Sequence, residues 1–447
     1  MARWLLGLIL AAHVLLAVGY SLGTPPWEAP DEPSHYLYAE HMAAHGSLPT
    51  EAQPQKGNYW ENGYVTSLYE WYQPPLYYAL AAPLIAFADW VRPGTIPQAF
   101  PPVDPAFPVQ ARNLFIAVRE PASAPPGLRL ARFFSVVLGF CTLLVVHRAA
   151  MLLSRGDRAV ALTATGLLAF IPQYTFLSGY VTNDNLAVLL SALSLLTFLH
   201  LLRTPDRRQT RVLVFAGALL ALALSTKLSL LFLLPLGLIC LLLRFTYHRS
   251  ARRWLSESAV LAAIAVVPLL LGLLFLPGLR EQVVYAYEYL QVKPEFISLD
   301  YLADLWPQTY TSFWGTFGWM NVSTPRWIAD SLTVFSAVGL IGAASLFTGR
   351  LWQRQHGSSC WRPLLLLWVT CGLVAIGFIR FNLAVRQPQG RLLFTALPAL
   401  VILVTMGYRR LSGRLFPLVG TAMVLLSFAA NLLCLFGSLL PAYAFPH

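Results

Sequence analysis

Residues 4–23, WLLGLILAAHVLLAVGYSLG, run for twenty positions without a charged side chain. As an α-helix they rise about 30 Å, the thickness of a bilayer's hydrocarbon core. Stretches of the same character recur at 129–149, 159–180, 185–202, 211–226, 228–244, 257–276, 331–349, 363–379, 392–408 and 415–437, which makes eleven expected spans. Lipid offers backbone N–H and C=O groups no partners, so each stretch is read as a helix whose hydrogen bonds close internally. None alternates apolar and polar residues as a membrane barrel strand does. Composition agrees, with 57% of the 447 residues hydrophobic and 11% charged, against roughly a quarter charged in soluble domains. The expected fold class is an all-α polytopic membrane protein, and a soluble globular domain is excluded.

The charges between the spans set a direction. With the N-terminus inside, segments 1–3, 147–158, 203–211, 244–257, 350–362 and 409–414 face the cytoplasm. They carry 18 of the 31 Lys and Arg but only Asp157, Asp206 and Glu257 of the 20 acids, so the inverted topology would put most Arg on the wrong side. The net charge of +11 is therefore a topology signal. Basic residues scattered between apolar segments, not gathered on one domain, argue against nucleic acid as a partner. The 4–23 run follows a short basic start but shows no small-residue cleavage site before Thr24-Pro25-Pro26, and reads as a retained helix, not a signal peptide. Cys141, Cys240, Cys360, Cys371 and Cys434 lie in or beside apolar runs without metal-type spacing and read as packing residues.

Two outer segments are too long for plain connections. Together with the spans they divide the chain into a transmembrane module (1–276) that includes outer loop 24–128, an aromatic-rich outer loop (277–330), and C-terminal transmembrane helices (331–447). In the first loop, Pro33 to His45 reads as a short helix with Asp31 or Glu32 capping its start and Gly46 stopping it. Residues 74–91, PPLYYALAAPLIAFADWV, form a second apolar helix. If it spanned the bilayer every later span would invert, so it is placed in the outer interface.

Candidate chemistry gathers at outer helix ends. Asp31 and Glu32 follow the first span and could supply a base or bind a cation, although acids also favour helix starts for capping alone. Asp184, in Thr182-Asn183-Asp184-Asn185, stands at the outer mouth of another helix, where a cap is also needed. Lys227, Arg386 and Arg391 keep positive charge on that same face. Arginine grips phosphate bidentately and lysine binds it as a point charge; the plainer alternative is snorkelling to headgroups. Trp314 and Trp319, in FWGTFGW, could stack on sugar rings or line an interface belt. Buried His13 and exposed His35, His41 and His45 read as packing or surface residues. No P-loop, zinc pattern or nucleophile elbow appears.

The segments PPWEAPDEPSHYLYAEHMAAHGSLP, YQPPLYYAL, LRLARFFSVVLG, GYVTNDNLA, STKLS and QPQGRLLFTALPAL follow one another in this order. Together they resemble the GT-C superfamily of membrane glycosyltransferases, among them the protein O-mannosyltransferases of family 39, the lipid A aminoarabinose transferases and related uncharacterised bacterial membrane proteins. The resemblance runs over about 24–400. It implies Asp31 as catalytic base with Glu32 beside it, and a supporting or metal-binding role for Asp184. Lys227 and Arg391 then contact the donor phosphate with Arg386, and Gln73 and Tyr77 of the YQPPLYYAL element contact substrate with Trp314 and Trp319. Gln73 stands where family 39 has His and the aminoarabinose transferases have Lys. A divalent metal, if bound, would be held by Asp31 and Asp184.

The implied partners are a polyprenyl-phosphate-linked sugar donor, an acceptor that is protein, lipid or glycan, and membrane lipids. The implied site is the outer face of the cytoplasmic (inner) membrane. A transporter or flippase of a lipid-linked or anionic substrate is the alternative; it would more often show repeated halves and ionisable residues at mid-membrane.

Overall fold

The protein is described by a computed structural model over residues 2–50, 70–91, 125–203, 209–353 and 361–444. Parts of the long first outer loop (51–69 and 92–124), Asp206 and Cys360 lie outside the described residues. Among the described residues eight stretches are long and apolar enough to cross a membrane: Arg3–Gly23, Pro126–Leu153, Asp184–Arg203, Leu228–Tyr247, Ala251–Phe275, Arg326–Leu346, Trp361–Asn382 and Gly390–Tyr443. The last of these holds two helices, Leu397–Ser412 and Phe416–Cys434, joined through a tight turn at Gly413–Leu415. Their outer faces keep large apolar side chains uncovered, such as Leu15, Leu274 and Leu418, which suits a surface solvated by lipid. The chain is a multi-pass membrane protein.

The expected span 159–180 is shorter as a helix, Arg158–Ala169, whereas 211–226 is found as Thr210–Leu224; both are apolar and under 18 residues long. The first stops because Pro172 has no N–H and forces Ile171 into an extended conformation; a new helix, Pro172–Leu177, starts there. The break strands the carbonyl of Ala169. Thr175 Oγ1 donates to it at 3.0 Å and His13 Nδ1 lies 2.9 Å from it. Buried His13 thus serves the break, and the chain beyond it is released to carry residues 178–184 across one end of the bundle.

In the two long segments between spans the described residues are folded. Glu32–His45 forms a helix ended by Gly46 at φ 64°, and Leu76–Val91 forms the second apolar helix, too short at about 24 Å to cross alone. Segment 277–330 folds into helices Pro277–Tyr289 and Leu299–Trp314, followed by a two-residue hairpin pairing Thr316 with Ser323 and Phe317 with Val322. Cys141, Cys240, Cys371 and Cys434 carry no disulfide.

Candidate active site

Asp31 occupies the N-cap position of the Glu32–His45 helix with φ 63° and ψ 0°, and its side chain makes no capping bond. A left-handed backbone costs most residues about 1–2 kcal/mol, and Asp and Asn least. Capping would aim the carboxylate at the helix's open N–H groups. Instead Arg391 Nη2 donates to Asp31 Oδ2.

Glu32 has a different job. Arg132 grips it with Nε on Oε1 at 2.8 Å and Nη2 on Oε2 at 2.6 Å. The backbone N–H groups of Val181 and Trp27 add bonds at 3.1 and 3.3 Å. Arg132 also donates to the carbonyls of Ser21, Thr24 and Pro25. One buried ion pair thereby ties the end of the first helix, the Asp31 turn and the 178–184 segment together. Every strong partner of Glu32 is structural, so the carboxylate beside Asp31 fixes the turn and does not open toward a reactant.

Asp184 begins its helix and meets two cations. Lys227 Nζ lies 2.6 Å from Asp184 Oδ1, and Arg391 Nη1 lies 3.8 Å from Oδ2. Lys227 reaches there from an extended residue between the Thr210–Leu224 helix and the turn Leu228–Phe232. Arg391 stands in the turn Gly390–Ala396, anchored where Gly390 N donates to Ser312 Oγ at 2.8 Å. Its remaining nitrogens donate to Gln389 Oε1 at 2.6 Å, Tyr180 Oη at 3.2 Å and the Pro30 carbonyl at 3.5 Å. Two carboxylates and two cations from four distant parts of the chain therefore form one alternating, buried cluster.

Its rim was only partly expected. His35 is buried, 3% exposed, contrary to its reading as a surface residue. Its Nδ1 lies 2.8 Å from Tyr78 Oη and its Nε2 3.4 Å from Thr182 Oγ1, while the Thr182 hydroxyl donates to Asp184 Oδ2 at 3.4 Å. With the Thr182 proton spent on Asp184, His35 must donate from Nε2 and accept at Nδ1, a neutral ring. Burial agrees, holding His35 down at about 3. Half-buried Glu70 was not foreseen. Its Oε2 accepts from Gln73 Nε2 at 2.7 Å and its N–H donates to Ser34 Oγ. Loss of water, then the nearby Asp31 charge, pushes it up to about 7, against the pull of Lys227 and Arg391. A lone Glu in a loop rich in Pro and aromatics gives no periodic signal; its place three residues before Gln73 was the available hint.

The structure does not bring Arg386, Tyr77, Trp314 or Trp319 into the charge cluster. Arg386 pairs at 3.3 Å with the exposed Asp304, since its loop turns outward before Gly390. Tyr77 is fully buried with its hydroxyl 3.3 Å from Ser135 Oγ. Trp314 donates to Thr333 Oγ1 and Trp319 to the Trp27 carbonyl. Asp31 and Asp184 do not fit a divalent ion as they stand, because each is already paired with a fixed cation that a metal would have to displace. Among the described residues no group of three or more His, Cys, Asp and Glu gathers as a metal site.

Residues 126–285 match the family model of dolichyl-phosphate-mannose-protein mannosyltransferases. None of the curated proteins matches the chain. The archaeal oligosaccharyltransferase AglB from Archaeoglobus fulgidus, solved with an inhibitory peptide and a dolichol-phosphate, is 12% identical with a TM-score of 0.53 over 96% of this chain and 55% of that one. The Archaeoglobus fulgidus oligosaccharyltransferase with Zn and sulfate gives 14%, 0.53, 98% and 54%. ArnT from Cupriavidus metallidurans bound to undecaprenyl phosphate gives 17%, 0.48, 93% and 62%. The chain thus spans little more than half the length of these solved structures. The two archaeal structures, at TM-scores of 0.53 over nearly the whole of this chain, show that it shares the helical fold of those membrane oligosaccharyltransferases.

Proposed function

We propose that the protein transfers a sugar from a polyprenyl-phosphate-linked donor to an acceptor hydroxyl at the outer face of the cytoplasmic membrane, inverting the anomeric carbon, with Asp31 as base. The observation that carries this reading is the diversion of Asp31 from a cap into a buried cluster with Arg391, Asp184 and Lys227. A helix cap has no need of that company. A site that must hold a phosphate beside a base does. The family matched at 126–285 and the dolichol-phosphate in the archaeal structure support a polyprenyl phosphate as the lipid, and the positive-inside charge bias supports the outer face.

The chemistry follows from the residues. Arg391 and Lys227 bind the donor phosphate, which competes with Asp31 for Arg391 and leaves Asp31 Oδ2 to take the acceptor's proton. The acceptor oxygen attacks the anomeric carbon as the bond to the phosphate oxygen breaks. Arg391 and Lys227 hold the charge that grows on the departing polyprenyl phosphate, already a weak base that needs no strong acid. Asp184 orients both cations. Glu32 holds the Asp31 turn through Arg132.

The test is transfer of radiolabelled sugar from a polyprenyl-phosphate donor in reconstituted vesicles, comparing wild type with Asp31→Asn. Asparagine tolerates the same left-handed backbone, so the fold is kept while the base is lost. The expected result is a rate lower by about 10²–10⁴-fold with bare polyprenyl phosphate still bound. Equal rates would remove Asp31 from the chemistry. Movement of the lipid between leaflets without transfer would favour the flippase.

A further inference from the structure

The polar side chains that lead up to Asp184 can be given their hydrogens by elimination. Thr182 Oγ1 has one proton and two lone pairs. It accepts the Asp184 backbone N–H at 3.3 Å and gives its proton to Asp184 Oδ2 at 3.4 Å, because an ionised carboxylate only accepts. His35 Nε2, 3.4 Å away, must then carry the hydrogen it shares with Thr182. A neutral ring protonated at Nε2 accepts at Nδ1, so Tyr78 Oη donates to it at 2.8 Å. Tyr78 has spent its proton there and accepts from Asn183 Nδ2 at 3.4 Å. The other hydrogen of that amide goes to Gln73 Oε1 at 3.4 Å.

Every donor in the row Asn183–Tyr78–His35–Thr182 therefore points the same way, and the row ends on Asp184. None of these five residues is more than 4% exposed, so water offers no other partner. Rings hold the row in place. The Tyr78 ring lies 3.8 Å from that of Tyr38 and 5.8 Å from the His35 imidazole, within 10° and 23° of parallel. Such a row is unsuited to carrying protons. It begins at an amide, and its phenol keeps its proton to about pH 10 in water. What it can do is fix an orientation.

That orientation matters at one oxygen. Asp184 Oδ1 is taken by Lys227 at 2.6 Å, whereas Oδ2 receives the Thr182 hydroxyl and faces Arg391 Nη1 at 3.8 Å. The last distance is beyond a hydrogen bond. The guanidinium bonds instead to Asp31, Tyr180 Oη, the Pro30 carbonyl and Gln389. Without the Thr182 hydroxyl, Oδ2 would be an unsatisfied buried acceptor beside a cation, and Arg391 would be drawn onto it.

We propose that Thr182, His35 and Tyr78 are positioning residues for the transfer: by fixing a hydroxyl proton on Asp184 Oδ2, they keep Arg391 off Asp184 and available to Asp31 and the donor phosphate. The inference rests on the transferase reading and adds the groups that apportion one arginine between two carboxylates. They act through Asp184, with no part in the bonds made or broken.

Full-length wild type, Thr182→Val, Thr182→Ser, His35→Leu, His35→Gln and Lys227→Ala, each in lipid nanodiscs, are titrated with undecaprenyl phosphate. Asp184→Asn and the double variant Asp184→Asn, Thr182→Val complete a cycle. Valine keeps the shape of threonine and lacks its hydroxyl. Thr182→Val should lose about 10-fold in affinity, and Thr182→Ser should stay close to wild type. Glutamine carries one acceptor and one donor as the neutral ring does, so His35→Gln should regain most of what His35→Leu loses. In the Asp184→Asn background Thr182→Val should cost less than about twofold, because no carboxylate remains to draw Arg391 away.

Affinity of Thr182→Val within about twofold of wild type would overturn the proposal. So would a loss of the same size with and without Asp184, the mark of a merely structural role. Equal losses in His35→Leu and His35→Gln would overturn it too. In each of these cases Lys227→Ala, by weakening the lipid, would leave the transferase reading standing. If wild type does not bind undecaprenyl phosphate, that reading falls and this inference with it. Should Thr182→Val not fold, the comparison of His35→Leu with His35→Gln reads the same effect.

Discussion

Replacing Arg391 with lysine keeps the charge and removes the fork. The guanidinium reaches Asp31, Tyr180 Oη at 3.2 Å, the Pro30 carbonyl at 3.5 Å, Gln389 Oε1 at 2.6 Å and, at 3.8 Å, Asp184. A single ammonium on a shorter planar reach keeps one carboxylate and loses the bridge to the other. At least two hydrogen bonds to charged or buried partners go, each worth about 1–2 kcal/mol. The loss of about 2–4 kcal/mol of transition-state binding corresponds to a fall in kcat/KM of about 30- to 1,000-fold. The assay is single-turnover sugar transfer in vesicles, with affinity for bare polyprenyl phosphate measured beside it. Since Lys227 still supplies a point charge, affinity for the lipid should fall less than the rate. Activity of Arg391→Lys within about threefold of wild type would refute the reasoning, because charge alone would then suffice and the bridging geometry would have no role.

Other outcomes follow from the same contacts. Arg132→Ala leaves Glu32 buried and uncompensated, so stability should fall by about 3–5 kcal/mol, seen as a lowered melting temperature. Arg386→Ala, removing an exposed pair with Asp304 and a 5.9 Å approach to the Tyr301 ring, should change stability by less than about 1 kcal/mol. Gly390→Ala pushes a Cβ into the backbone of Phe313, which cannot rotate aside. It should shift Arg391 and lower kcat/KM by about 10²-fold, an estimate for a misplacement of about 1 Å. Glu70 is raised from 4.5 to about 7, so the folded state binds its proton more tightly than the unfolded state. Its contribution to stability is full below pH 4.5 and lost as pH rises through about 7. Wild-type thermal stability should therefore lose more between pH 5 and pH 7.5 than that of Glu70→Gln; parallel profiles would contradict the placement of Glu70. Asp31, Lys227 and Arg391 face Glu70 in both proteins, so the difference isolates its own proton.

The membrane class was legible because a bilayer imposes one requirement, twenty apolar residues, that survives any packing detail. Asp31, Asp184, Lys227 and Arg391 were legible for a related reason: a charge at the end of an apolar run stands out, and topology puts all four on one side before any contact is known. Arg132 was not, although it lies in LRLARFFSVVLG, because its value comes from meeting Glu32 a hundred residues away. His35 was misplaced for the same cause. A short helix with little amphipathic pattern cannot say which of its histidines is covered, and the cover comes from Tyr78 and Thr182. The break after Ala169 left an apolar run that looks continuous, yet Pro172 was its signal, and its consequence is functional. Without the break, residues 178–184 would continue up a helix and could not cross to the Asp31 turn.

That crossing bears on how the proposed chemistry would be timed. Asp31 is held from one side by the Glu32–Arg132 staple, which leaves its turn no freedom to follow a ligand. Arg391 is held by backbone contacts at Gly390 but reaches Asp31 only through its side chain. The cluster as a whole is balanced, two carboxylates against two cations. An arriving phosphodiester adds one negative charge to it, and the favourable rearrangement is for the guanidinium to exchange its bond to Asp31 for one to the phosphate while the stapled carboxylate stays. On this account the base is occupied until the donor is seated. Asp31 becomes available at the moment the leaving group is bound, and the left-handed turn that keeps it in place is the structural means of that order.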